Sequence, residues 1–121
     1  MAKIFTGQVV YKIIHAKDWE MACRLGQYAG SADDVQDGFI HLSAARQLLG
    51  TAAKHFRGQP GLVLAAFDAA ALGPALKWER SRGGDLFPHF YVPLPTRCAL
   101  WTKPLSLGDD EVPDLPELPP C

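Results

Sequence analysis

Leu62-Val63-Leu64-Ala65-Ala66-Phe67 is an unbroken apolar run, preceded by the breaker segment Gly58-Gln59-Pro60-Gly61. Side chains alternate between the two faces of a strand, so a strand with no polar face belongs at a sheet centre covered on both sides. A chain of 121 residues that carries such a strand has to build packing layers above and below one sheet. One hydrophobic core typically serves roughly 100–200 residues, which makes a single domain the expectation.

The flanking segments supply those layers. Val9-Val10-Tyr11-Lys12-Ile13-Ile14 is β-branched and aromatic and predicts a first strand that delivers His15 to its end,. Residues 18–25 place Trp19, Ala22, Cys23 and Leu25 at near-helical spacing before Gly26,. Ser31 is placed to cap a short turn through Val35, and Asp37-Gly38 turns the chain into a strand over 39–42,. Ser43 then reads as the N-cap of a helix over 44–56, with Ala45, Leu48, Leu49, Ala52 and Phe56 as its core stripe,. One helical turn over 69–72 and strands over 76–79, 90–92 and 97–101 complete the body, with residues 80–88 as a loop. The fold expected from this order is α+β, a strand-rich mixed sheet with two main helices. The domain spans 1–105, and 106–121 forms an acidic, proline-rich, disordered tail.

Charge is unevenly divided. The bases all lie at or before Lys103, whereas Asp109, Asp110, Glu111, Asp114 and Glu117 follow it, which leaves residues 1–105 with a formal +4. A mildly basic body suits a small anionic or nucleotide ligand, but it is not the dense basic stripe of nucleic-acid binders. No apolar run nears the roughly 20 residues that cross a bilayer, and the start has no signal-peptide h-region. Cys23, Cys98 and Cys121 are odd in number and widely spaced, which argues for a reduced, cytoplasmic setting with Cys23 and Cys98 in the core,.

Two segments concentrate the chemistry. In Asp37-Gly38-Phe39-Ile40-His41-Leu42-Ser43, strand alternation turns His41 away from the core if Ile40 and Leu42 face it,. His41 and Ser43 would then sit beside the N–H groups of a helix start, which suits an anion; a structural histidine beside a capping serine is the equal alternative. In Trp78-Glu79-Arg80-Ser81-Arg82-Gly83-Gly84, followed by Asp85-Leu86-Phe87-Pro88-His89-Phe90-Tyr91, Arg82 and the Gly83-Gly84 backbone are candidates for holding phosphate,. Taken alone, that loop reads more simply as a surface turn with solvated arginines. His89 and Tyr91 share one strand face just beyond it, and Glu79 is a carboxylate that strand geometry can aim into a pocket. His15 at a strand end and His55 on the margin of a helix face are further candidates. No HxH, HExxH or CxxC occurs, so no metal is expected; zinc on His41, His55 and His89 is the minor alternative.

The stretch DGFIHLS, a histidine near the end of the next helix and WERSRGGDLFPHFYVPLP resemble the bacterial family known as domain of unknown function 952. The resemblance runs from about Tyr11 to Leu105. Members are sometimes labelled glutathione S-transferase-like, but the chain is too short for that two-domain enzyme. The family's fold is similar to the ADP-ribosyltransferase superfamily, a split mixed sheet that clasps NAD. That resemblance implies a nicotinamide-nucleotide ligand, with His15 or His41 holding it and His89 or Tyr91 acting from a later strand. The superfamily's late glutamate has no counterpart, since only Glu111 and Glu117 follow Tyr91.

The roles expected are therefore His41, His89 and Glu79 as catalytic groups. His15, Ser43, His55, Trp78, Arg82, Gly83, Gly84 and Tyr91 are expected to bind NAD or another nucleotide phosphate, with Trp78 or Tyr91 stacked on a ring. The rival expectation is a non-catalytic module for a small anionic metabolite or a partner protein.

Overall fold

The structure is a computed structural model that describes residues 8–118. Its first half contains β1 (Val9–His15), α1 (Ala16–Leu25), β2 (Gln27–Tyr28), α2 (Ala32–Asp37), β3 (Ile40–His41), β4 (Ser43–Ala44) and α3 (Leu48–His55). Its second half contains β5 (Leu62–Asp68), α4 (Ala69–Leu72), β6 (Leu76–Arg80), β7 (Leu86–Phe90), β8 (Leu94–Pro95) and β9 (Ala99–Leu105). Among the described residues, no helix is long and apolar enough to cross a membrane.

The main sheet runs β4-β1-β5-β9, with β5 inside it as its apolar run requires. Alternation along β5 divides the core. Ala65 and Phe67 join Val10 and Ile14 on one face, while Leu62, Leu64 and Ala66 join Tyr11 and Ile13 on the other. Leu64 and Phe67 are fully buried, a burial that stabilises by roughly 1.5–3 kcal/mol per side chain. The first face is covered by Trp19 and Ala22 of α1 and by Ile40, Phe90 and Leu94 from the smaller sheets. The second is covered by Leu48 and Ala52 of α3.

The smaller sheets are β3-β7-β6 and β2-β8. Every pairing among the described residues is antiparallel, so the sheet is split, as expected, but not mixed. Of these pairs only β6 and β7 are joined by a short connection, over residues 81–85; the others bring together strands distant in sequence. There are four helices among the described residues, not two.

Three local expectations change for identifiable reasons. Ser43 is not a helix cap: it pairs with Tyr11 as part of β4. A 3₁₀ turn over Ala45–Gln47 intervenes before α3, and the Gln47 side chain accepts the Ala44 N–H. Leu48 and Ala52 reach the core as expected, with Ala45 and Phe56 against it, while Leu49 is two-thirds exposed. Pairing with β6 extends β7 back to Leu86, inside the segment expected as a loop. Cys23 lies on the exposed side of α1, and only Cys98 packs against the core.

Residues 106–118, expected as a disordered tail, lie against the second face of the sheet. Val112 is buried, and Leu115 and Leu118 pack on the same cluster. The Gly58 N–H donates to Glu111 O at 2.7 Å, and Arg57 Nη1 donates to Asp110 O at 2.9 Å. The apolar residues spaced between the acids cover the part of the sheet that the short α3 leaves open. Cys121 lies outside the described residues.

Candidate functional site

β1 pairs with β4 only at Val10 and Tyr11, so from Lys12 to His15 that edge is left open. A cleft of about 600 Å³ lies along it, between the main sheet and the β3-β7 ladder. That volume falls within the roughly 300–1,000 Å³ of small-molecule sites. All four histidines of the chain, His15, His41, His55 and His89, line this cleft.

One wall is built around Asp34. Ser31 caps α2 by accepting the Asp34 N–H, while the Ser31 N–H donates to Asp34 Oδ2 at 2.8 Å, a reciprocal capping box. This fixes the carboxylate, which is 2% exposed, where it meets Lys12 Nζ at 3.1 Å and His41 Nδ1 at 2.6 Å. The His41 N–H donates to the same carboxylate, and Lys12 Nζ donates to His41 O. Burial alone would raise the Asp34 pKa. The His41 hydrogen bond, the Lys12 charge and the two backbone donors outweigh it and hold the carboxyl well below its usual range,. His41 Nε2 lies 2.9 Å from Asp37 Oδ2, so both its ring nitrogens face carboxylates.

The other wall is set by the register His41↔His89 across β3 and β7. The His89 side chain is 6% exposed and its Nδ1 lies 2.8 Å from Glu79 Oε1. Tyr91 Oη donates to the same oxygen at 2.6 Å. The Tyr91 and His89 hydrogen bonds lower the Glu79 pKa, keeping it an acceptor. Phe39 stacks on His89 with centroids 4.0 Å apart and also touches His41 and Tyr91. The ring is thus held by a carboxylate at Nδ1 and an aromatic on its face, and the residue lines the cleft.

The remaining sequence candidates divide. Ser43 lines the cleft, with its hydroxyl 3.0 Å from Thr51 Oγ1. Glu79 and Tyr91 stand behind His89 and are not among the lining residues. Trp78 faces the opposite way from Glu79 and packs against the core, so it has no ring to offer a ligand in this cleft. Gly83 and Gly84 adopt left-handed φ of 67° and 79° in a turn closed on itself: the Gly84 N–H donates to Ser81 O, and Arg80 Nη1 to Gly84 O. Gly83 borders a separate open hollow with Arg46, Lys54 and Asp85. A phosphate cradle in the cleft therefore does not form from this turn. The Arg82 side chain lies outside the described residues.

His41 and His89 are adjacent, with centroids 5.6 Å apart. Among the described residues, however, no group of three or more His, Cys, Asp or Glu side chains is placed to hold a metal. The charge of the cleft is also the reverse of the body's. Among the described residues, Asp18, Asp33, Asp34 and Asp37 line it, with Lys12 as the one lysine.

Sequence reasoning missed Lys12, Asp34 and Asp37. The signals were present: a lysine inside an apolar strand, and a Ser31-x-x-Asp34 capping pattern,.

Residues 13–102 match the model of a family described as protein of unknown function (DUF952). The chain is similar to the X-ray structure of protein CC0527 from Caulobacter crescentus at 50% identity and a TM-score of 0.86, covering 88% of this chain and 93% of that one. The solution NMR structure of the same protein is similar at 50% identity and a TM-score of 0.79, covering 87% and 90%. No curated protein matches.

Proposed function

For this chain, which belongs to the DUF952 family, we propose that the histidine-lined cleft is a ligand site for NAD or a related nucleotide, with chemistry of the ADP-ribosyl-transfer type. The observation that carries this reading is His89: buried, fixed through Nδ1 by Glu79, and bordering a cleft of ligand size at the seam between two sheets. A histidine oriented by a carboxylate presents its other nitrogen in one direction, the arrangement used for general acid–base work.

In that role His89 Nε2 takes the proton of an acceptor hydroxyl as the acceptor oxygen bonds to the ribosyl carbon and the bond to nicotinamide breaks. Glu79 and Tyr91 position His89, while His41, tied to Asp34 and Asp37, shapes the wall. The ligand's phosphates would lie away from the acid-lined portion, since the glycine turn is not at the cleft. The cysteines placed here, free and unpaired with each other, accord with a reducing, cytoplasmic setting.

Titration calorimetry with NAD, ADP-ribose and ATP, followed by an assay for released nicotinamide, tests the reading. The expected result is saturable binding, with release abolished in His89→Gln and binding retained. Absence of binding by all three nucleotides would reject it.

A second reading has its own support. No buried side-chain nitrogen or oxygen among the described residues lacks a partner, and Lys12, Asp34 and His41 satisfy one another. A wall so completely paired also suits a binding module without turnover, for which saturable binding without nicotinamide release is the expected outcome.

A further inference from the structure

The cleft combines three features that choose the same kind of ligand. First, its lining is acidic among the described residues: four aspartates against one lysine give these a formal charge of −3 with the histidines neutral. Even a positive His41 leaves the sum negative. Second, the charge is not all used internally. Lys12 and His41 are committed to Asp34, and Asp37 faces His41. Asp18 and Asp33 are exposed and make no ion pair or side-chain hydrogen bond among the described residues. Third, the walls carry aromatic rings, those of Tyr28, Phe56 and Phe87 among them. Ring faces attract cations, and organic cations lose less hydration on entering such a site than metal ions do. His89, more than nine-tenths buried and held at Nδ1 by Glu79, lines the same space.

From these we propose that the cleft selects its ligand by a positively charged organic group, a pyridinium-type ring or an alkylated amine, seated between the aromatic walls and neutralised by Asp18 and Asp33. A free phosphate or carboxylate is the wrong charge for this space, which distinguishes the inference from the anion site expected of a basic body. It uses the same cleft as the nucleotide reading and narrows it: of a nicotinamide nucleotide, the oxidised ring would enter the acid-lined space and the phosphates would not.

Calorimetric titration of the full chain with two near-isosteres tests it: 1-methylnicotinamide, which is a cation, and nicotinamide, which is neutral. NAD and its reduced form make a second pair that differs in ring charge. The cation of each pair is expected to bind about tenfold more tightly, equivalent to roughly 1.4 kcal/mol. The preference should vanish in Asp18→Asn/Asp33→Asn, whose exposed substitutions leave the melting temperature unchanged. A measurement that needs no substitution is the salt dependence. Raising ionic strength from about 0.01 to about 0.1 M shortens the screening length from roughly 30 to 10 Å and should reduce the preference.

Equal affinity within both pairs, no binding by any of the four compounds, or a preference untouched by the double variant and by salt would overturn the inference. The two readings separate cleanly. NAD and its reduced form binding equally would keep the nucleotide site and sink charge selection. Binding of 1-methylnicotinamide over nicotinamide, with no binding of NAD, would do the reverse.

Discussion

Asp34→Asn changes one atom of a side chain that is 2% exposed and accepts from Lys12, from Ser31 and twice from His41. The amide can still accept from some of these donors, but it removes the charge that pairs with Lys12, itself 8% exposed. Leaving one member of a buried pair without its partner costs about 3–5 kcal/mol, against a total stability of about 5–15 kcal/mol for a domain of ordinary size. At about 4 °C per kcal/mol for a chain of this length, the melting temperature should fall by roughly 10–20 °C. Urea unfolding followed by circular dichroism, with Lys12→Met and the double variant Lys12→Met/Asp34→Leu alongside, measures the coupling. The double variant should be much less damaging than the two single losses combined, because no lone charge stays buried.

The same carboxyl predicts the acid limb. Its folded-state pKa lies below the unfolded value of about 3.9,. Its contribution is therefore fully present above that pH and fades as pH falls toward the folded value. Asp34→Asn should flatten that limb. A cost under about 1 kcal/mol, or an unchanged acid limb, would refute the view that Asp34 organises this wall.

Three further outcomes are expected. Val112→Ala removes two buried methyl-sized groups from the segment that closes the second core, and should cost about 1.5 kcal/mol in urea unfolding,; no change would mean that 106–118 is not docked in solution. Tyr91→Phe removes the shortest hydrogen bond to Glu79, so the Glu79 carboxyl pKa, followed by NMR, should move up toward its ordinary value. Gly83→Ala meets no neighbouring atom but must keep φ at +67°, so it should destabilise by about 1–2 kcal/mol. Because Gly83 borders the separate hollow and does not line the cleft, ligand affinity should not move.

The sequence by itself determined what depends on local periodicity. The apolar run over 62–67 had to be an interior strand. With Ile40 and Leu42 turned to the core, His41 and Phe39 had to face the other way together, as they do. Ser31 and Asp34 formed their cap for the same local reason. Only the tertiary structure decided what those residues meet. Lys12 and Asp34 are 22 positions apart and are joined by the packing of α2 against β1, while His41 and His89, 48 apart, are joined by the antiparallel register of β3 and β7. Trp78 and Glu79 are neighbours in sequence, yet packing assigns one to the core and the other to His89. The acidic tail reads as unstructured because its apolar residues form no periodic face of their own. They find one only on the sheet surface beside α3, which the rest of the chain must fold first to create,.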